Sequence, residues 1–240
     1  MIKRAFVPFA LMFSLLGLSL TSCDQIVDVL EDLLSEGDAT EGLKEALRVG
    51  SDTAIASGSA LDGYFANQAI KILLPPEAQT IVTVINQVPG VGPALVDEVV
   101  LKLNRAAEDA APQARDILWN AILNITITDA IAIVNGENDA ATQFLRTNTQ
   151  TEIAGLFLPH IETSLETVGA QTAWGTLTSN YNTVAPILGQ PQVNTDLADY
   201  TTDKALDGLF YLVAEEEALI REDPVHRVSE ILEQVFGTGN

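Results

Sequence analysis

The sequence predicts an all-α fold, a bundle of roughly eight to ten helices, and three observations carry that expectation. Apolar residues recur at three- and four-residue spacing along most of the 240-residue chain. Capping residues and glycines mark the ends of those runs. Hydrophobic residues make up 47% of the chain against a formal charge of −21, a composition that supports a core. The domain organisation read from this pattern is a leader over residues 1–22, an acidic amphipathic segment over 23–39 and one helical domain over 40–237.

The elements follow in order. Ile26, Val29, Leu30, Leu33 and Leu34 form one helical stripe, with Asp28, Glu31 and Asp32 opposite. Residues 35–40 (SEGDAT) are the first expected break. Thr40 is the expected cap of a helix through Leu43, Leu47 and Ala54 that ends near Gly58. Residues 59–76 are the least helical stretch. Ile70, Ile72 and Leu74 alternate before Pro75 and Pro76, so residues 70–75 should be extended. A helix should resume through Ala78, Ile81, Val82 and Ile85, and residues 89–93 (PGVGP) should turn into the next.

That next helix carries Leu95, Val96, Val99, Leu103, Ala106, Ala107 and Ala110 on one face, with a kink or restart at Pro112. Ile117, Leu118 and Ile122 continue the stripe. A short helix from Thr128 to Val134 should stop at Asn135 and Gly136. Asn138 should cap a further helix holding Phe144 and Leu145. Thr149 and Glu152 read as a capping box for another, bent at Pro159 and closed by Gly169. Trp174, Leu177, Tyr181, Val184 and Leu188 make the cleanest stripe, and residues 189–196 form a loop. Two helices finish the chain. One holds Leu206, Leu209, Phe210, Val213 and Ile220. The second starts at Asp223 and Pro224 and stops at Gly237.

The N-terminus carries an address. Residues 1–4 (MIKR) are basic, residues 5–20 are almost wholly apolar, and residues 20–23 (LTSC) end on the chain's single cysteine. Sixteen residues fall short of the about twenty that span a bilayer. The basic end, the apolar run and the small residues suit an export signal. The segment resembles a bacterial lipoprotein signal. That resemblance implies lipidation of the Cys23 sulfur, cleavage before it, and a protein held by acyl chains in the cell envelope, facing the periplasm. Asp24 leans the expectation toward the inner membrane, with the outer left open. No second cysteine exists, so no internal disulfide can form.

The leader holds two of the twelve basic residues and none of the thirty-three acidic ones, so the remaining chain is more acidic still. Such a body is a poor partner for nucleic acid. Its partners should be the membrane, through Cys23, and a protein or small molecule.

Chemistry is thinly supplied. There is no Gly-x-Ser-x-Gly elbow, phosphate loop or dinucleotide pattern, and no cofactor is implied. His160 and His226 read as surface or packing residues. No second thiol or His-x-x-x-His pair points to zinc, and residues 135–139 (NGEND) read as a turn and cap, so no metal is expected. The candidate ligand-binding residues are Asn104, Arg105, Glu108, Arg146, Glu217 and Arg221. Arg105 can pair with Glu108 and Asp109 at three and four residues, and Glu217 with Arg221 at four. These groups either line a polar site or form ion pairs on helix surfaces. A carboxylate and arginine hydrolase using Arg105, Glu108, Asp109, Arg146 and Arg221 is the catalytic alternative. A carrier of an apolar molecule lined by Tyr64, Phe65, Trp119 and Trp174 is the third.

Several stretches carry a resemblance in combination. They are residues 42–47 (GLKEAL), 63–64 (GY), 70–75 (IKILLP), 104–108 (NRAAE), 129–130 (DA), 138–142 (NDAAT) and 204–210 (KALDGLF). Residues 216–217 (EE), 220–221 (IR) and 235–237 (VFG) complete the set. Their order resembles the bacterial envelope family catalogued as domain of unknown function 4197, over about residue 40 to the C-terminus. The resemblance implies an exported, largely helical and often lipid-anchored protein and brings no catalytic residues. It leads one to expect proline where this chain has Leu73. The expected function is therefore a lipid-anchored, non-catalytic protein that binds a ligand or partner.

Overall fold

The structure is a computed structural model, and it describes residues 22–78, 81, 83, 92–167, 169–194 and 196–222. The chain divides into two compact units, residues 1–36 and residues 37–240. Residues 1–21 of the expected leader, residues 89–91 of the expected turn at 89–93, most of the helix through Ala78 and Ile85, and the closing helix from Asp223 lie outside the described residues.

Among the described residues the fold is all-α, with no strand and with seven bounded α-helices rather than eight to ten. They are α1 (Ser22–Ser59), α2 (Gly92–Ala110), α3 (Arg115–Leu123), α4 (Ile127–Val134), α5 (Ala140–Thr167), α6 (Ala170–Val184) and α7 (Ala198–Glu222). Short 3-10 turns cover Pro76–Ala78, Ala111–Ala114 and Ala185–Leu188.

Two expected breaks are absent, which lowers the number. α1 runs through residues 35–40 without interruption, and Thr40 is buried inside it rather than capping it. A single glycine costs a helix about 1 kcal/mol, too little to end one rich in Ala, Leu and Glu. Thr149 is also mid-helix. Its hydroxyl donates to the Leu145 carbonyl at 2.7 Å, one turn back, so it forms no capping box with Glu152. Among the described residues a capping box joins Thr126 and Asp129, at the start of α4.

The prolines behave differently from each other. Pro112 falls in the 3-10 turn between α2 and α3, the restart its ring demands. Pro159 sits inside the continuous α5. Pro159 and Gly155 are both exposed, so the carbonyl that loses its intrahelical donor is open to water.

α5 is the central helix and packs against α2, α3, α4, α6 and α7. Leu145, Thr149, Ile153, Phe157, Ile161 and Leu165 are buried along it at a constant spacing of four. Each four-residue step turns a helix by about 40° beyond a full circle. The buried stripe therefore winds around α5 and meets several neighbours in succession. Gly169, at a φ of 68°, closes α5 and opens α6, as its left-handed backbone suits.

Between α1 and α2 the chain is free of helix and turn over residues 71–75, while Ile70, expected to be extended with them, belongs to the preceding turn. Ile70, Ile72 and Leu74 are buried, while Leu73 is 59% exposed. Without a proline at position 73, a side chain holds this segment in place. Asn104 of α2 accepts from the Ile72 N–H and donates to the Ile72 carbonyl, both at 2.8 Å. One amide thus copies the edge of a neighbouring strand. Asn182 of α6 grips Val193 in the same way, at 2.8 and 2.7 Å.

Candidate binding groove

The candidate polar residues fall into three places and do not converge. The first surrounds the turn after α1. Glu108 is 5% exposed, and its Oε1 accepts from the Tyr64 and Phe65 N–H groups, both at 3.2 Å. Its Oε2 accepts from Arg105, whose other arm bonds Asp62. Asp62 has a φ of 68°, a left-handed conformation that costs a non-glycine residue energy. Its bond to Arg105 ties that conformation to α2. The hydrogen bonds that Arg105 donates to Asp62 and then Glu108 raise its pKa above the ordinary value, so the guanidinium stays charged. The adjoining Gly63 has no substitute, since a Cβ there would lie 2.2 Å from the Ser57 carbonyl oxygen.

The second place joins three helices. Glu217 of α7 accepts from the N–H groups of Ala141 and Thr142 at 3.0 and 2.8 Å, and from the Thr142 hydroxyl at 2.8 Å. The start of α5 is therefore capped by a carboxylate seventy-five residues away in sequence, not by Asn138. Arg221 grips Glu217 at 2.7 Å and reaches the Ile133 carbonyl at 2.9 Å, at the end of α4. Negative charge meets a helix N-terminus and positive charge a helix C-terminus, each matched to the local dipole. These are buried links between helices, unlike the surface pairs that spacing alone suggests.

The third place is α7 near Arg146, which bonds Asp207 and lies 5.4 Å from the Phe210 ring. Lys204 also bonds Asp207, at 3.1 Å. Burial would raise the Asp207 pKa, yet hydrogen bonds from Arg146 and Lys204 hold it below its ordinary value.

The aromatic residues of the carrier reading split. Tyr64 and Trp174 are 0 and 1% exposed. The Tyr64 hydroxyl donates to the Ala205 carbonyl at 2.7 Å and the Trp174 indole to Asn194 at 3.1 Å. Burial first, and then Glu108, raise the Tyr64 pKa far above its usual range, so the phenol stays neutral. Both rings are packed core. Phe65 and Trp119 are partly exposed and face cations instead. For the hydrolase reading, Asp109 accepts from the Ser164 hydroxyl at 2.9 Å, and both lie on an open groove with Arg105 and Lys102. Glu108 contributes no unbonded oxygen there. His160 is exposed, and His226 lies outside the described residues.

One concavity was not visible in the sequence. A groove of about 560 Å³ separates residues 69–74 and Pro76 from Tyr200, Lys204, Asp207, Gly208 and Tyr211 of α7. Gly208 lets the two walls approach, since a Cβ there would sit 2.5 Å from the Tyr64 ring. The Tyr200 hydroxyl donates to the Leu73 carbonyl at 3.0 Å, across one end. The local signal was available: residues 70–75 and 204–210 are two of the motif stretches, and they meet here.

No helix among the described residues is long and apolar enough alone to cross a membrane. No curated protein matches the chain, and no solved structure matches it. The sequence model of the family described as "Protein of unknown function (DUF4197)" matches residues 33–237. That match covers most of the chain and agrees with the motif order, so this protein belongs to the DUF4197 family of unknown function.

Proposed function

We propose that this protein is lipid-anchored through Cys23, faces the periplasm, and binds a ligand or partner in the groove between residues 69–76 and α7. The observation that supports this most is how the polar side chains are used. Asn104, Glu108 and Glu217 are buried and bonded to backbone, so they frame the fold. Arg105 and Arg221 hold two of those carboxylates in place. Arg146 stands behind the groove by fixing Asp207. The groove itself keeps two lysines, two tyrosines and an exposed leucine at its surface.

Detergent partitioning and purification from the native envelope test the two halves separately. Cys23→Ser should move the protein from the detergent phase to the aqueous phase. Native mass spectrometry of the parent should show a bound species that Tyr200→Ala loses. A serine variant that still partitions with detergent overturns the anchor. A parent that is bare in every native preparation overturns the binding role.

A further inference from the structure

Lys71 is the exception among the cations of the described residues. Lys44, Arg48, Lys102, Arg105, Arg115, Arg146, Lys204 and Arg221 each pair with a carboxylate. Among the described residues Lys71 has no such partner, although acidic residues outnumber basic ones thirty-three to twelve. Its ammonium instead lies 4.0 Å from the centre of the Phe65 ring, and the residue lines the groove. A ring face attracts a cation without neutralising it, so the charge remains available to an anion.

The backbone beside it is also open. Successive residues of an extended chain turn their N–H and C=O groups to opposite edges. The Ile72 pair faces Asn104. The Leu73 edge faces α7, as the Tyr200 bond to its carbonyl shows. The Leu73 N–H and the Lys71 C=O have no partner among the described residues. A short strand could bond both. Leu73 and the rings of Tyr200 and Tyr211 give its side chains apolar contact, and Lys71 and Lys204 stand against the single carboxylate of Asp207.

We infer that the groove binds an extended peptide segment carrying a carboxylate, which adds as a strand along residues 71–73 and places its negative charge at Lys71. This rests on the groove being the binding site. Edge addition of this kind draws affinity from backbone bonds and specificity from alternate side chains, and a cleft of about 560 Å³ suits a few residues.

The intact chain, immobilised from detergent, is offered a random heptapeptide library, and the retained peptides are sequenced. The retained pool should be rich in Asp and Glu. A peptide made from it should shift the Leu73 amide in ¹⁵N spectra. Lys71→Gln should weaken it about tenfold and Lys71→Arg restore it, tenfold being 1.4 kcal/mol. Leu73→Pro, which removes the free N–H, should weaken the peptide but not acetate. A pool without acidic enrichment, binding unchanged in Lys71→Gln, or acetate binding as tightly as the peptide overturns the inference. An empty library with a native bound species lost in Tyr200→Ala rejects the peptide and leaves the groove. An empty library with no bound species rejects both.

Discussion

Asn104 and Ile72 bond each other twice, with both the N–H and the carbonyl of Ile72 held at 2.8 Å by one side-chain amide. The same amide also donates to the Val100 carbonyl at 2.7 Å. Asn104→Ala leaves buried backbone groups unpaired, each costing about 1–3 kcal/mol. The variant should lose about 3 kcal/mol in urea unfolding, and the Ile72 amide should exchange with solvent far faster than in the parent. An unchanged midpoint would show that residues 71–75 are held by packing alone.

The Glu217 and Arg221 pair should behave as a unit. Arg221→Met leaves a buried carboxylate without its cation and should cost about 3–5 kcal/mol. Glu217→Gln with Arg221→Met together should cost less than Arg221→Met alone, because the uncompensated charge is gone. Additive losses in a double-mutant cycle would show that the two residues act independently.

Two glycines should differ in how badly they tolerate alanine. Gly208→Ala pushes on the Tyr64 ring, which sits in a packed core, and should cost about 1–3 kcal/mol. Gly63→Ala meets the backbone oxygens of Ser57, Gly58 and Ala60 and should cost more. Melting temperatures of the two variants rank them, and equal values would contradict the geometry.

Asp207 gives a pH signature. Its pKa is lowered in the folded protein, against the pull of burial, by bonds from Arg146 and Lys204. A lowered carboxylate contributes stability in full above its unfolded value, about pH 4, and loses it as the pH falls through the folded value. The gap in urea midpoint between the parent and Asp207→Asn should be constant from about pH 6 to 8 and close below about pH 4. A gap that persists in acid would mean that Asp207 contributes by packing, not charge.

The sequence showed more of the helices than of their joints. Leu103, Ala106, Ala107 and Ala110 lie on the face their spacing foretold, and the helix-free stretch before Pro75 starts at Lys71, one residue later than alternation placed it. Residues 35–40 and Thr149 misled because turn-prone residues within a long run are outweighed by the helix around them. Thr126 and Asp129 carried a cap signature that the following threonine, Thr128, obscured. The site was least legible. Glu217 caps a helix seventy-five residues away, and Asn104 bonds a segment thirty-two residues away, so no local pattern records either contact. Charge spacing found Arg105 with Glu108 and Glu217 with Arg221, but not the backbone that those carboxylates bond.

Protection of lysines against reductive methylation tests the groove most directly. The intact chain is labelled alone and after incubation with an extract of its native envelope, and each lysine is quantified by mass spectrometry. Lys71 should react readily alone and lose most of that reactivity in the extract, while Lys44 and Lys102, paired elsewhere, stay unchanged. Equal labelling of Lys71 in both samples, with protection confined to Lys44 or Lys102, would contradict the assignment.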